Sequence, residues 1–307
     1  MKREQFLRLI SIIISFAVLG VVFQVLISER LNLPWVTAIS AIVGAAVAFY
    51  GMMIIRLLYR NPTSFTISLL GFPLSGKTVY LTVLFDELQR TQETAIQFVP
   101  YGQETVERVT HDLNTLSKGV WLPTTQPGSV FYYRANASIG FGLFRRRYKI
   151  EIADFAGERI GELDSSDEKW LHKSDYFKYV IQSEAVLFAM DCQVLIKGDK
   201  AQREEMQNAF VAALQILAES KGVTENRRLQ TPIALLFLKA DLLRNSVKEE
   251  DLPSMIPRLI SVCERRCANF RYFFVSSVGE LGPQEYPPET LRPRNVVAPI
   301  VWILRKV

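Results

Sequence analysis

Residues Gly71-Phe72-Pro73-Leu74-Ser75-Gly76-Lys77-Thr78 form a complete GxxxxGK[ST] segment, an order of residue types suited to holding a chain of phosphates. The glycines let the backbone turn its N–H groups toward an anion, and the following helix start, from Val79, adds its own. Lys77 can bridge the outer phosphates, while the Thr78 hydroxyl can ligate Mg²⁺. Three further segments carry chemistry in the order expected downstream. Asp154-Phe155-Ala156-Gly157 offers a carboxylate for a Mg²⁺ water and a glycine amide for a terminal phosphate. Leu238-Lys239-Ala240-Asp241 offers a carboxylate that can accept two hydrogen bonds from guanine, from N1–H and from the N2 amino group. Adenine presents a lone pair at N1 instead, so Asp241 selects guanine, and the stem of Lys239 covers the base plane. Ser276-Ser277-Val278 places backbone within reach of the guanine carbonyl.

Each segment needs a rigid support, and the surrounding sequence provides one. Ser64 to Leu70 reads as a buried strand leading into the first segment. Thr78 to Gln89 is apolar at helical spacing through Leu81, Leu84, Phe85 and Leu88. Strands over Lys149 to Ala153, Ile233 to Phe237 and Tyr272 to Val275 end where the other three segments begin. The pattern predicts an α/β fold, a three-layer P-loop NTPase sandwich with a mostly parallel sheet and a nucleotide at the carboxyl ends of the strands.

The series GFPLSGKT, DFAG, LKAD and SSV resembles the Ras-like and translation-factor (TRAFAC) class of P-loop GTPases over about Ser64 to Val307. Within that class it is most similar to the bacterial double-GTPase and related conflict-system families. The SGKT-x-YLTVL opening, the Trp121-Leu122-Pro123-Thr124-Thr125 segment and the final APIVWIL carry that likeness. The resemblance implies GTP/GDP and Mg²⁺ as ligands, with a switch I threonine on the metal. Thr124 and Thr125 both occupy the required interval, and Thr125 is favoured. About thirty residues, roughly Thr91 to Val120, exceed the minimal pattern and are expected to form a helical insertion. Three departures from the class stand out. Leu238 replaces the Asn or Thr that ties its loop to the P-loop. Pro73 and Leu74 replace small residues where a partner's arginine would enter. Glu158 stands where many members place a water-orienting Gln.

The first sixty residues have a different character. Phe6 to Ser28 and Trp35 to Ile55 are two apolar runs, each long enough to cross about 30 Å of hydrocarbon. Only Glu29 to Pro34 separates them, which predicts a transmembrane hairpin over 1–60 ahead of a nucleotide domain over 61–307. Lys2, Arg3 and Arg8 at one end and Arg56 and Arg60 at the other place both ends in the cytoplasm of an inner-membrane protein. Ser40, Gly44 and Ala48 form a small-residue stripe through which the second span could meet the first span or a second copy. A lipid bilayer, a guanine nucleotide and a protein partner reading the switch regions are therefore the expected partners.

The excess of 36 Lys and Arg over 31 Asp and Glu is too small for a nucleic-acid footprint. Cys192, Cys263 and Cys267 lack metal or redox spacing, and two histidines offer little material for a metal centre. The functional expectation is a membrane-anchored GTP-dependent switch with slow hydrolysis, in which Lys77, Thr125 and Glu158 act on the reaction. A non-hydrolysing scaffold and a nucleotide-gated membrane-disrupting effector are the alternatives.

Overall fold

A computed structural model of the chain describes residues 44, 49–51, 62–90, 96–126, 129–140, 145–155, 175–224, 227–243, 247–281 and 285–306. The chain divides into two compact units, 1–61 with 141–146, and 62–140 with 147–307. The expected hairpin over 1–60 lies almost wholly outside the described residues. Among the described residues no helix is long and apolar enough to cross a membrane.

The second unit is built on a seven-stranded sheet. Its strands are β1 (Thr63–Gly71), β2 (Ile96–Pro100), β3 (Val130–Ile139), β4 (Arg146–Phe155), β5 (Ala185–Asp191), β6 (Ile233–Leu238) and β7 (Phe270–Val275). They lie in the order β2-β3-β4-β1-β5-β6-β7. β1 pairs in parallel with β4 on one side and β5 on the other, and the β5–β6 and β6–β7 pairs are parallel as well. Helices are α1 (Lys77–Arg90), α2 (Gln103–Ser117), α3 (Asp175–Gln182), α4 (Cys192–Lys197), α5 (Lys200–Ser220), α6 (Pro257–Arg266) and α7 (Ala298–Lys306).

Strand chemistry follows from burial on both faces. Every residue of β5 and β6 is buried, and their continuous apolar runs are what a helix-covered parallel sheet requires. Alternate residues divide between two cores. Ala185, Leu187 and Ala189 of β5 share one core with Leu81 and Leu84 of α1, Leu116 of α2 and Ile300 of α7. Val186, Phe188 and Met190 face α5 and α6 through Phe210, Leu214, Leu217 and Leu259. Because β1 lies between β4 and β5, and the helices that follow β1 and β5 belong to the cores on opposite faces, the loops leaving β1 and β5 diverge and open a crevice at the carboxyl edge. The P-loop segment sits at that point.

The interval expected to be a helical insertion contains a strand as well as a helix. β2 adds antiparallel to β3, with Ile96 opposite Ile139 and Pro100 opposite Ala135. Its alternating burial marks an edge strand with one face on the core. α2 packs its buried Val109 and Leu116 into the same core as α1. Asp112 is also buried on α2, and it accepts from Arg108 Nε at 2.8 Å and from the Thr82 hydroxyl of α1 at 3.4 Å. All three cysteines are buried free thiols, and burial pushes the Cys192 thiol well above its ordinary range.

Candidate functional site

β1 ends at Gly71, where the backbone meets β5 too closely for a side chain. A Cβ there would stand 2.8 Å from Ala189 Cβ and 2.9 Å from its carbonyl oxygen. The loop then turns through Leu74 at φ +61° and Gly76 at φ +88°, and it delivers Lys77 to the first position of α1. Lys77 is buried, and its ammonium donates to the carbonyls of Gly71 and Phe72, both at 2.8 Å. Burial lowers its pKa to about 8, against the opposing pull of the Asp154 carboxylate. One residue on, the Thr78 hydroxyl donates to Asp154 Oδ2 at 2.8 Å and lies 3.1 Å from the hydroxyl of Thr125.

Asp154, the second-last residue of β4, is 2% exposed. Burial raises its pKa, and the Thr78 hydrogen bond and Lys77 charge oppose that rise. Its Oδ1 is buried without a hydrogen-bond partner in the described structure, as is the Ser75 hydroxyl. A buried carboxylate oxygen left unmatched costs free energy unless an ion or water meets it. Thr78, Thr125 and Asp154 therefore form a small all-oxygen cluster, a donor set that suits Mg²⁺ sharing its shell with waters and phosphate oxygens.

The other half of the crevice is assembled from β5, β6 and β7. At the end of β6, Lys239 takes the left-handed conformation with φ +61°. Its ammonium donates to the Leu74 carbonyl at 2.8 Å and to Asp191 Oδ2 at 2.6 Å. The stem passes over the P-loop, with Cε 3.6 Å from where a Gly76 Cβ would lie. The tie between this loop and the P-loop, which Leu238 is too apolar to make, is thus carried by the lysine. Asp191 is the residue that sequence reasoning missed. It ends β5, is 6% exposed, and its other oxygen caps α4 by accepting from Gln193 N–H at 2.7 Å. An Asp after an apolar strand and before a helix start was the available signal.

Asp241 follows in a short 3-10 turn, Ala240–Leu242. Burial raises its pKa, opposed first by a hydrogen bond from the Ser276 hydroxyl. That hydroxyl also accepts from Gly279 N–H at 3.0 Å and so shapes the turn after β7.

A cavity of about 480 Å³ runs between the two halves. Pro73, Leu74, Ser75, Gly76, Lys77, Thr78 and Val79 line one end together with Thr124, Thr125 and Phe155; Lys239, Asp241, Ser277 and Val278 line the other. Trp121, Gln193, Lys197 and Glu285 add to the wall. Gly71, Phe72 and Ser276 stand behind the lining and act on it through the bonds given above. Gly157 and Glu158 lie outside the described residues. Among the described residues no group of three His, Cys, Asp or Glu side chains offers an alternative metal site.

No curated protein matches the chain. Among solved structures it is similar to that of the small GTPase Arl6 (BBS3) from Trypanosoma brucei with the nucleotide analogue GppNp bound. The identity is 14%, with 79% of this chain and 96% of that chain covered and a TM-score of 0.42. Residues 66–290, well over half of the sequence, match the family described as Double-GTPase 2. The chain therefore belongs to the Double-GTPase 2 family and is a GTP-binding P-loop protein.

Proposed function

We propose that the chain is a GTP-dependent switch with slow hydrolysis, anchored in the inner membrane by residues 1–60. The observation that carries the reading is the convergence of Thr78, Thr125 and Asp154 beside Lys77, at one end of a cavity whose other end holds Asp241. Lys77 supplies positive charge to the outer phosphates. The hydroxyls of Thr78 and Thr125 would hold Mg²⁺ directly, and Asp154 would hold it through water. Bound there, the ion offsets the charge of the phosphate oxygens. Asp241 accepts from N1–H and the N2 amino group of guanine, and an adenine ring leaves that carboxylate unmatched.

Thr125 stands outside the sheet on the segment ahead of β3, so a triphosphate that draws it inward also reorders the surface around it. That reordering is what a protein partner would read. Slow hydrolysis follows from Glu158. An ionised carboxylate beside the terminal phosphate would accept hydrogen bonds from water but donate none, and it would add negative charge where positive charge is needed.

Binding of fluorescent GTP, GDP and ATP analogues to the full-length protein, with and without Mg²⁺, tests the reading. Tight Mg²⁺-dependent GTP binding with weak ATP binding is expected, and equal affinity for ATP would defeat it. Single-turnover phosphate release compared with Glu158→Gln tests the slow step, with the variant expected to be faster. Labelling of Asn32→Cys from outside and of Ser64→Cys from the cytoplasm alone is the result that membrane anchoring requires.

A further inference from the structure

Trp121 lies four residues before Thr125, and its indole and Glu285 both line the cavity. The indole Nε1–H donates to the Glu285 main-chain carbonyl at 3.1 Å. Glu285 holds φ +63°, a left-handed conformation that a non-glycine residue keeps only where its surroundings stabilise it. Beside this bond the two segments approach again, with the Pro287 carbonyl 3.7 Å from the Cβ position of Gly119.

Both segments are tied to rigid elements. Gly119 and Val120 donate their N–H groups to the Leu116 and Thr115 carbonyls at the end of α2, at 2.9 and 3.2 Å. On the other side, Ser276 and Arg294 exchange two backbone hydrogen bonds, of 3.1 and 2.8 Å, and Arg292 N–H donates to the Val278 carbonyl at 3.0 Å. One side of the Trp121–Glu285 bond therefore leads to Thr125 and the phosphate end. The other leads to Ser277 and Val278 at the base end.

We propose that Trp121 is a positioning residue of the nucleotide site, a clasp that joins the Thr125 segment to the Glu285 segment across the mouth of the cavity and controls nucleotide exit. The inference rests on the reading that the cavity takes a guanine nucleotide. Trp121 as a residue is 41% exposed, so the bond its indole makes lies at the protein surface. A lone hydrogen bond of this kind opens readily, and the clasp sets the rate of passage in both directions.

Trp121→Phe keeps an apolar ring and removes the donor, while Trp121→Ala removes both. Release of a fluorescent GDP from the full-length protein, chased with unlabelled GDP, should quicken about five- to tenfold in Trp121→Phe. Trp121→Ala should release faster still. Association in stopped flow should be no slower than in the wild type, because the same bond bars the way in. Release from Trp121→Phe at the wild-type rate overturns the clasp, as does a smaller active fraction whose remaining molecules release normally, which marks a purely structural residue. A wild-type protein that binds no guanine nucleotide brings down the functional reading and the clasp together. Wild-type binding with unchanged variant rates brings down the clasp alone.

Discussion

The two ends of the cavity are built on different principles. At the phosphate end the working groups come from one continuous turn, Gly71 to Thr78, with Asp154 and Thr125 brought against it. These groups are buried, charged or backbone, and they suit any polyphosphate. At the base end the groups come from three strand ends, and each is held by a side chain from elsewhere: Lys239 by Asp191 and Asp241 by Ser276. Affinity is thus concentrated in a short stretch of sequence, and selectivity is spread over the sheet. Damage to the first end should abolish binding, whereas damage to the second should change what is bound.

The largest effect is expected at Lys77. Lys77→Ala should weaken GTP binding about a thousandfold, because it removes the cation from a buried anion site. Thermal melting of the nucleotide-free variant should still show a cooperative fold. Next comes Asp241→Asn, expected to weaken GTP about a hundredfold through two altered charge-assisted hydrogen bonds. The same variant should gain xanthosine triphosphate, whose ring carries a carbonyl where guanine has its amino group. Competition against fluorescent GTP measures both, and an unchanged GTP preference would erase the contrast between the two ends.

A smaller effect depends on pH. The nucleotide-free protein holds Lys77 at about 8, below its ordinary value, whereas bound phosphates favour its charged form. Affinity should therefore be full below pH 8 and fall about tenfold between pH 7 and 9. For folding the sign is reversed. The buried ammonium costs stability below pH 8, and the cost is relieved as pH rises toward the ordinary lysine range. Lys77→Arg, which stays charged throughout, should flatten the affinity profile in titrations of fluorescent GTP. The smallest effect is expected at Asp191→Asn. The amide oxygen can still cap α4, but the charge facing Lys239 is lost, and GTP affinity should drop about fivefold by equilibrium titration.

The same contrast explains what could be read before the structure. The phosphate end was legible because its spacing is local: a strand, a fixed-length turn and an amphipathic helix leave a contiguous trace. The predicted strand from Ser64 and helix from Thr78 differ from β1 and α1 by a residue or so at their ends. Asp191 was legible only as a helix cap, since the parallel pairing of β5 with β6 is what sets its carboxylate against Lys239. β2 escaped notice for a similar reason. Five residues with two apolar positions facing inward carry little periodicity, and the strand exists because β3 offers an edge. Leu238 offers no polar group for the tie to the P-loop, and the next residue supplies the bond instead.

β1 pairs in parallel with β4 from Thr63, beside Tyr148, to Leu69, and with β5 from Ile67 to Gly71, beside Ala189. Its first residue receives the chain from the N-terminal segment, and its last begins the P-loop. A tension applied at Pro62 along the strand axis would be resisted by the ladders to β4 and β5 in shear, many hydrogen bonds at once, instead of opening them one by one like a zipper. The P-loop at the far end would be shielded mechanically from such a load.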